Sequence, residues 1–113
     1  MKARILASMV LVALTAAIAS PAAMAFDEQQ AKATAKRNDC FKCHAVDKTK
    51  KGPSYKKIAA KYKDKPDAEQ KMTDQIIKEH KVKLEDGSEE THKVIDTKDP
   101  AEIKNLIDWI RAQ

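Results

Sequence analysis

Apolar positions divide this chain into one long run near the start and a series of short amphipathic stretches after it. Ile5 to Ile18 is almost continuously apolar, sits behind the basic pair Lys2 and Arg4, and is followed by Ala23-Met24-Ala25. A basic start, an apolar run shorter than the roughly 20 residues of a membrane span and a small-x-small site together read as a secretory signal cleaved after Ala25. The expected organisation is a leader over residues 1–25 and one domain over residues 26–113.

Beyond the leader the spacing becomes helical. Asp27 to Arg37 carries alanines at 31, 33 and 35 behind an acidic start, Asp27-Glu28, which suits a helix N-terminus. Gly52-Pro53 breaks the chain, after which Tyr55, Ile58, Ala59 and Tyr62 share one face of a short helix. Pro66 and Asp67 open a third helix, with Met72 and Ile76 four apart and Ile77 beside them, fraying near His80. The last helix has an N-cap at Asp99, Pro100 at its first position and Glu102 at its third. Its apolar stripe is Ile103, Leu106, Ile107 and Ile110. Between these two helices, Asp86-Gly87 lies among Val82, Leu84, Val94 and Ile95, a pattern that predicts a small hairpin.

Composition narrows the class. The 113 residues hold 22 Lys+Arg, 17 Asp+Glu, 2 Gly and 4 Pro, which fits one charged, helix-rich domain and argues against a sandwich, a barrel or a low-complexity chain. Without the leader, 20 basic and 17 acidic residues leave a formal charge of +3, too small an excess for a nucleic-acid binder. A domain this short gains from a disulfide, a metal or a cofactor, and the 2 cysteines are where to look.

Both cysteines fall in Cys40-Phe41-Lys42-Cys43-His44, the spacing of covalent c-type haem attachment. Each thiol forms a thioether to a vinyl group, and the adjacent imidazole reaches the iron. A redox disulfide of thioredoxin type needs a parallel sheet that the pattern lacks, and a structural zinc site needs a second ligand pair.

Together with Lys51-Gly52-Pro53 after the motif and Asp108-Trp109-Ile110 in the last helix, these features resemble the class I, mitochondrial-like family of small bacterial monohaem cytochromes c. The resemblance implies an all-α, cytochrome c-like fold, with about four helices wrapped around one covalently attached haem c and a long distal loop. It implies that the helices over 27–37 and 100–112 cross near a haem edge, with Trp109 between helix and porphyrin. It also implies that the Pro53 carbonyl accepts the Nδ1 proton of His44 and that Tyr55 packs on the haem or bonds a propionate. Plain core packing is the alternative role for Tyr55 and Trp109.

The family places a methionine on the loop before its last helix, and this sequence has none there. Met72, the one methionine after the leader, has a helical position that reads as core. His92, seven residues before Asp99, takes the methionine's place, so the expected iron ligands are His44 and His92. Met72, His80, a lysine or water remain the other candidates, with His80 read as facing solvent. Glu89 or Glu90 is read as the hydrogen-bond partner of His92's second nitrogen.

These features point to an exported, periplasmic, monomeric carrier of single electrons between redox proteins, with no membrane span once the leader is removed. Nothing in the remaining residues makes a catalytic pair or a phosphate loop. A gas-binding or sensing haem protein with an open sixth position is the alternative. A haem subunit of a larger complex is a third reading, against which 35% charged residues speak. From Lys42 to Lys65 there are nine lysines and two acids, and from Glu85 to Glu102 seven acids and two lysines. A basic side of this kind suits a partner with an acidic docking surface, with an ordinary solvated face as the plain alternative.

Overall fold

Five helices and one small hairpin make up residues 26–113, the part of the chain that the computed structural model describes. The leader expected over residues 1–25 lies outside the described residues.

The first helix, α1 (Glu28–Arg37), starts where the Asp27 carboxylate accepts the Gln30 amide at 3.0 Å. Glu28 in its first turn and Lys36 and Arg37 in its last complement the helix dipole. Ala31 and Ala35, one turn apart and fully buried, leave room for close packing against the last helix, α5 (Pro100–Arg111). That helix begins at Asp99, whose carboxylate accepts the Ala101 amide at 3.0 Å. Its stripe of Ile103, Leu106, Ile107 and Ile110 is buried together with Trp109. Each such side chain stabilises the fold by about 1.5–3 kcal/mol through burial.

Two further helices complete the core against α5. Helix α3 (Tyr55–Tyr62) is capped by Ser54, whose hydroxyl accepts the Lys57 amide at 3.1 Å, and it buries Tyr55 and Tyr62. Helix α4 (Ala68–Ile77) buries Ala68 and Met72, so the one methionine among residues 26–113 sits in the core. The four helices read from periodicity are present. A fifth, the single turn α2 (Cys40–Cys43), is too short to leave a periodic signal. It follows Asp39, whose left-handed φ of 59° turns the chain out of α1.

Strands β1 (Lys81–Lys83) and β2 (Glu89–Thr91) pair antiparallel, with Lys81 opposite Thr91 and Lys83 opposite Glu89. Gly87 adopts a φ of 85°, and its amide donates to the Leu84 carbonyl at 3.0 Å while the Leu84 amide donates to Ser88 at 2.7 Å. This is a three-residue turn closed by a left-handed residue, which is why glycine follows Asp86. Beyond the hairpin the Ile95 amide donates to the Ile76 carbonyl at 2.8 Å, fastening the loop to α4. Among the described residues no helix is long and apolar enough to cross a membrane.

Candidate haem site

The single turn of α2 places Cys40 and Cys43 three positions apart on one side, both half-buried and both free thiols. His44 ends the turn, its amide donating to the Cys40 carbonyl at 2.9 Å. Its Nδ1 lies 2.7 Å from the Pro53 carbonyl oxygen. A carbonyl only accepts, so Nδ1 carries the proton, and in the neutral ring Nε2 is the nitrogen with the lone pair.

Gly52 explains why the chain can come this close. Its amide donates to the Cys43 carbonyl at 2.9 Å, and a Cβ at this position would stand 2.8 Å from Cε1 of His44. Only a residue without a side chain lets Pro53 reach the imidazole undisturbed.

Aromatic rings form the wall beside the motif. Tyr55 lies 5.5 Å from His44 and 5.2 Å from Trp109, while Phe41 meets both Tyr55 and Trp109 edge-on. Burial pushes up the pKa values of both Tyr55 and Cys40. Trp109 is only 1% exposed, and its Nε1 has no partner among the described residues.

On the other side stands His92, whose ring centre lies 6.3 Å from that of His44 at an interplanar angle of 47°. Two imidazole–metal bonds of about 2 Å, with about 1 Å from each ring centre to its nitrogen, come to about 6 Å. The spacing therefore fits one metal atom held between the two rings. Nδ1 of His92 lies 2.9 Å from the Lys93 carbonyl, which again leaves Nε2 as the lone-pair nitrogen. Burial lowers the pKa of His92, keeping that nitrogen unprotonated at neutral pH.

Two expectations need correction here. The Lys93 carbonyl, rather than Glu89 or Glu90, occupies the second nitrogen of His92, because both glutamates are exposed and Glu89 is paired across the hairpin with Lys83. His80 is not a solvent-facing residue. Its ring stacks on His92 with centres 5.1 Å apart and planes within 17°, and its Nε2 is buried without a partner among the described residues. The signal was present in the sequence, since positions 80 and 92 are equally far from the Asp86 turn and so face each other across a hairpin.

Cys40, Cys43, His44, Pro53, Tyr55 and Trp109 thus converge on one side and His92 faces them from the distal loop. The hairpin is the only sheet among the described residues and is antiparallel, so the parallel sheet of a thioredoxin-type site is missing from them.

Comparisons with known proteins identify the family. The family model for cytochrome c matches residues 28–113. The class 1 cytochrome MtoD from Sideroxydans lithotrophicus is 53% identical in sequence, with a TM-score of 0.74 over 78% of this chain and 97% of that one. Cytochrome c552 of Nitrosomonas europaea is 33% identical, with a TM-score of 0.57 over 72% of this chain and 96% of its own. A curated relative, cytochrome c-552 of Nitrosomonas europaea, is 56% identical over 34 residues, a stretch that spans 30% of this chain and 33% of the relative.

Proposed function

The chain belongs to the cytochrome c family and carries haem c attached through Cys40 and Cys43, and from this we propose an exported one-electron carrier ligated by His44 and His92. When bound, the haem iron supplies the reversible one-electron change. His44, oriented by Pro53, holds the proximal face, and His92 closes the distal face. An imidazole in place of a thioether favours the ferric state and keeps the reduction potential low.

The buried rings of Tyr55 and Trp109, with Phe41 packed against them, exclude water from the site. The leader at Ile5 to Ile18 and the Ala23-Met24-Ala25 site support export to the periplasm, with maturation to Phe26. The lysines between Lys42 and Lys65 support docking of a monomer to an acidic redox partner.

The observation that carries this reading is the 6.3 Å separation of His44 and His92. Its test is the absorption spectrum of the reduced holoprotein before and after carbon monoxide. An unchanged low-spin spectrum is expected. Conversion to a carbonyl complex would overturn the carrier reading in favour of gas binding.

A further inference from the structure

All 3 histidines of this chain share one arrangement. Nδ1 of His44 faces the Pro53 carbonyl at 2.7 Å, that of His92 faces Lys93 at 2.9 Å, and that of His80 faces Lys78 at 2.9 Å. Each carbonyl accepts the Nδ1 proton, so in the neutral ring Nε2 is the nitrogen with the lone pair. This is the tautomer and support that metal-bound imidazoles use. Two of the three rings have a use in the proposed ligation, and the third has none.

His80 is also placed beside the ligand it resembles. The His92 amide donates to the His80 carbonyl at 2.8 Å, one step beyond the Lys81 and Thr91 pair, so the hairpin sets both residues opposite each other. Their rings stack at 5.1 Å. Nε2 of His80 is buried with no partner among the described residues, an unfavourable placement for a polar atom whose only role is structural. A hydrogen bond between the two rings does not account for it, because both Nδ1 atoms are taken by carbonyls.

We propose that His80 is a reserve distal ligand, which binds the iron through Nε2 when His92 withdraws. The inference rests on His92 being the resting ligand. One iron–nitrogen bond breaks and one forms, and each ring would bind through Nε2 while its Nδ1 stays on its backbone carbonyl. The exchange keeps two imidazoles on the iron when the loop after β2 shifts. It also keeps small gases out of the position that His92 leaves.

The test is the spin state of the ferric holoprotein, read by electron paramagnetic resonance and absorption in His80→Ala, His92→Ala and the double variant. His80→Ala is expected to keep the native signal. His92→Ala is expected to stay low-spin with displaced g-values, and the double variant to become high-spin. Added imidazole restores the low-spin signal in the double variant if its pocket is folded, which separates ligand loss from misfolding. A high-spin His92→Ala protein overturns the role of His80 and leaves His92 as the ligand. A high-spin His80→Ala protein with an unaltered His92→Ala signal overturns both assignments, as does a double variant that stays low-spin without imidazole.

Discussion

Asn38 and Asp96 hold each other through two reciprocal hydrogen bonds, from Asn38 Nδ2 to Asp96 Oδ1 at 3.0 Å and from the Asp96 amide to Asn38 Oδ1 at 2.9 Å. Asn38 is buried at the end of α1 and also donates to the Thr34 carbonyl at 2.9 Å. It lies two residues before Cys40, and Asp96 lies four after His92, so this joint ties the haem motif to the distal loop. Asn38→Ala removes all three bonds and is expected to cost on the order of 2 kcal/mol, read as a lowered thermal midpoint of the holoprotein. An unchanged midpoint would show that the loop is held elsewhere.

Acid should loosen the same joint. Arg37 grips Asp96 with Nε on Oδ2 at 2.8 Å and Nη2 on Oδ1 at 3.1 Å, and this guanidinium, helped by Asn38, holds the carboxyl pKa down to about 2. Arg37 also pairs with Glu102 and lowers its pKa. A carboxyl with a folded pKa below its ordinary value of about 3.9 stabilises the fold fully above that value. The contribution is lost as pH falls through the folded pKa. Thermal midpoints are therefore expected to drop between about pH 4 and about pH 2, with a shallower drop in Asp96→Asn. Equal slopes in the two proteins would place the acid sensitivity in other carboxylates.

Gly52 is the position where one methyl group should matter most. A Cβ there meets Cε1 of His44 at 2.8 Å and Nδ1 at 3.2 Å, and neither the ring nor the Cys43 backbone behind it is free to retreat. Gly52→Ala is expected to push the imidazole off the Pro53 carbonyl, destabilising the holoprotein by about 1–3 kcal/mol as overpacking does. A broadened or partly high-spin absorption spectrum should accompany the loss. A native spectrum with a native midpoint would mean that the proximal loop yields more easily than its hydrogen bonds suggest.

The fold was legible because its signals are local. Asp99 with Pro100, the Ile103 to Ile110 stripe and the Asp86-Gly87 turn each depend on neighbours a few residues away, and each element appears at those residues. The one-turn α2 was not, since four residues carry no period. Within the site, the five-residue motif can be read directly, whereas the Asn38 and Asp96 joint spans 58 positions and leaves no local trace. His80 was misplaced for a different reason. As the end of a helix it looked exposed, and only the hairpin register brings it against His92.

Two acidic residues that sequence proximity set beside His92 should have little influence on it. Glu89 and Glu90 are exposed on β2, and the Lys93 carbonyl already takes the His92 Nδ1 proton. The Glu89→Gln, Glu90→Gln double variant is therefore expected to keep the native reduction potential and absorption maxima at physiological salt, where exposed charges are screened. A clear rise in potential on redox titration would mean that one of these carboxylates reaches His92 in the holoprotein.

The lysine-rich stretch gives a prediction about rates. All nine lysines between Lys42 and Lys65 are exposed, and among the described residues Lys42 alone of the nine forms an ion pair, with Asp39 at 3.2 Å. Uncompensated positive charge next to the haem motif attracts anions and repels cations over about one Debye length, roughly 10 Å at 0.1 M salt. Oxidation of the reduced protein by ferricyanide, an anion, is expected to slow as salt rises, and oxidation by a cationic cobalt complex to quicken. Replacing Lys50, Lys51, Lys56 and Lys57 with glutamine should flatten both trends without moving the reduction potential far. Rates that ignore salt for both reagents would show that electrons leave the protein at a surface these lysines do not border.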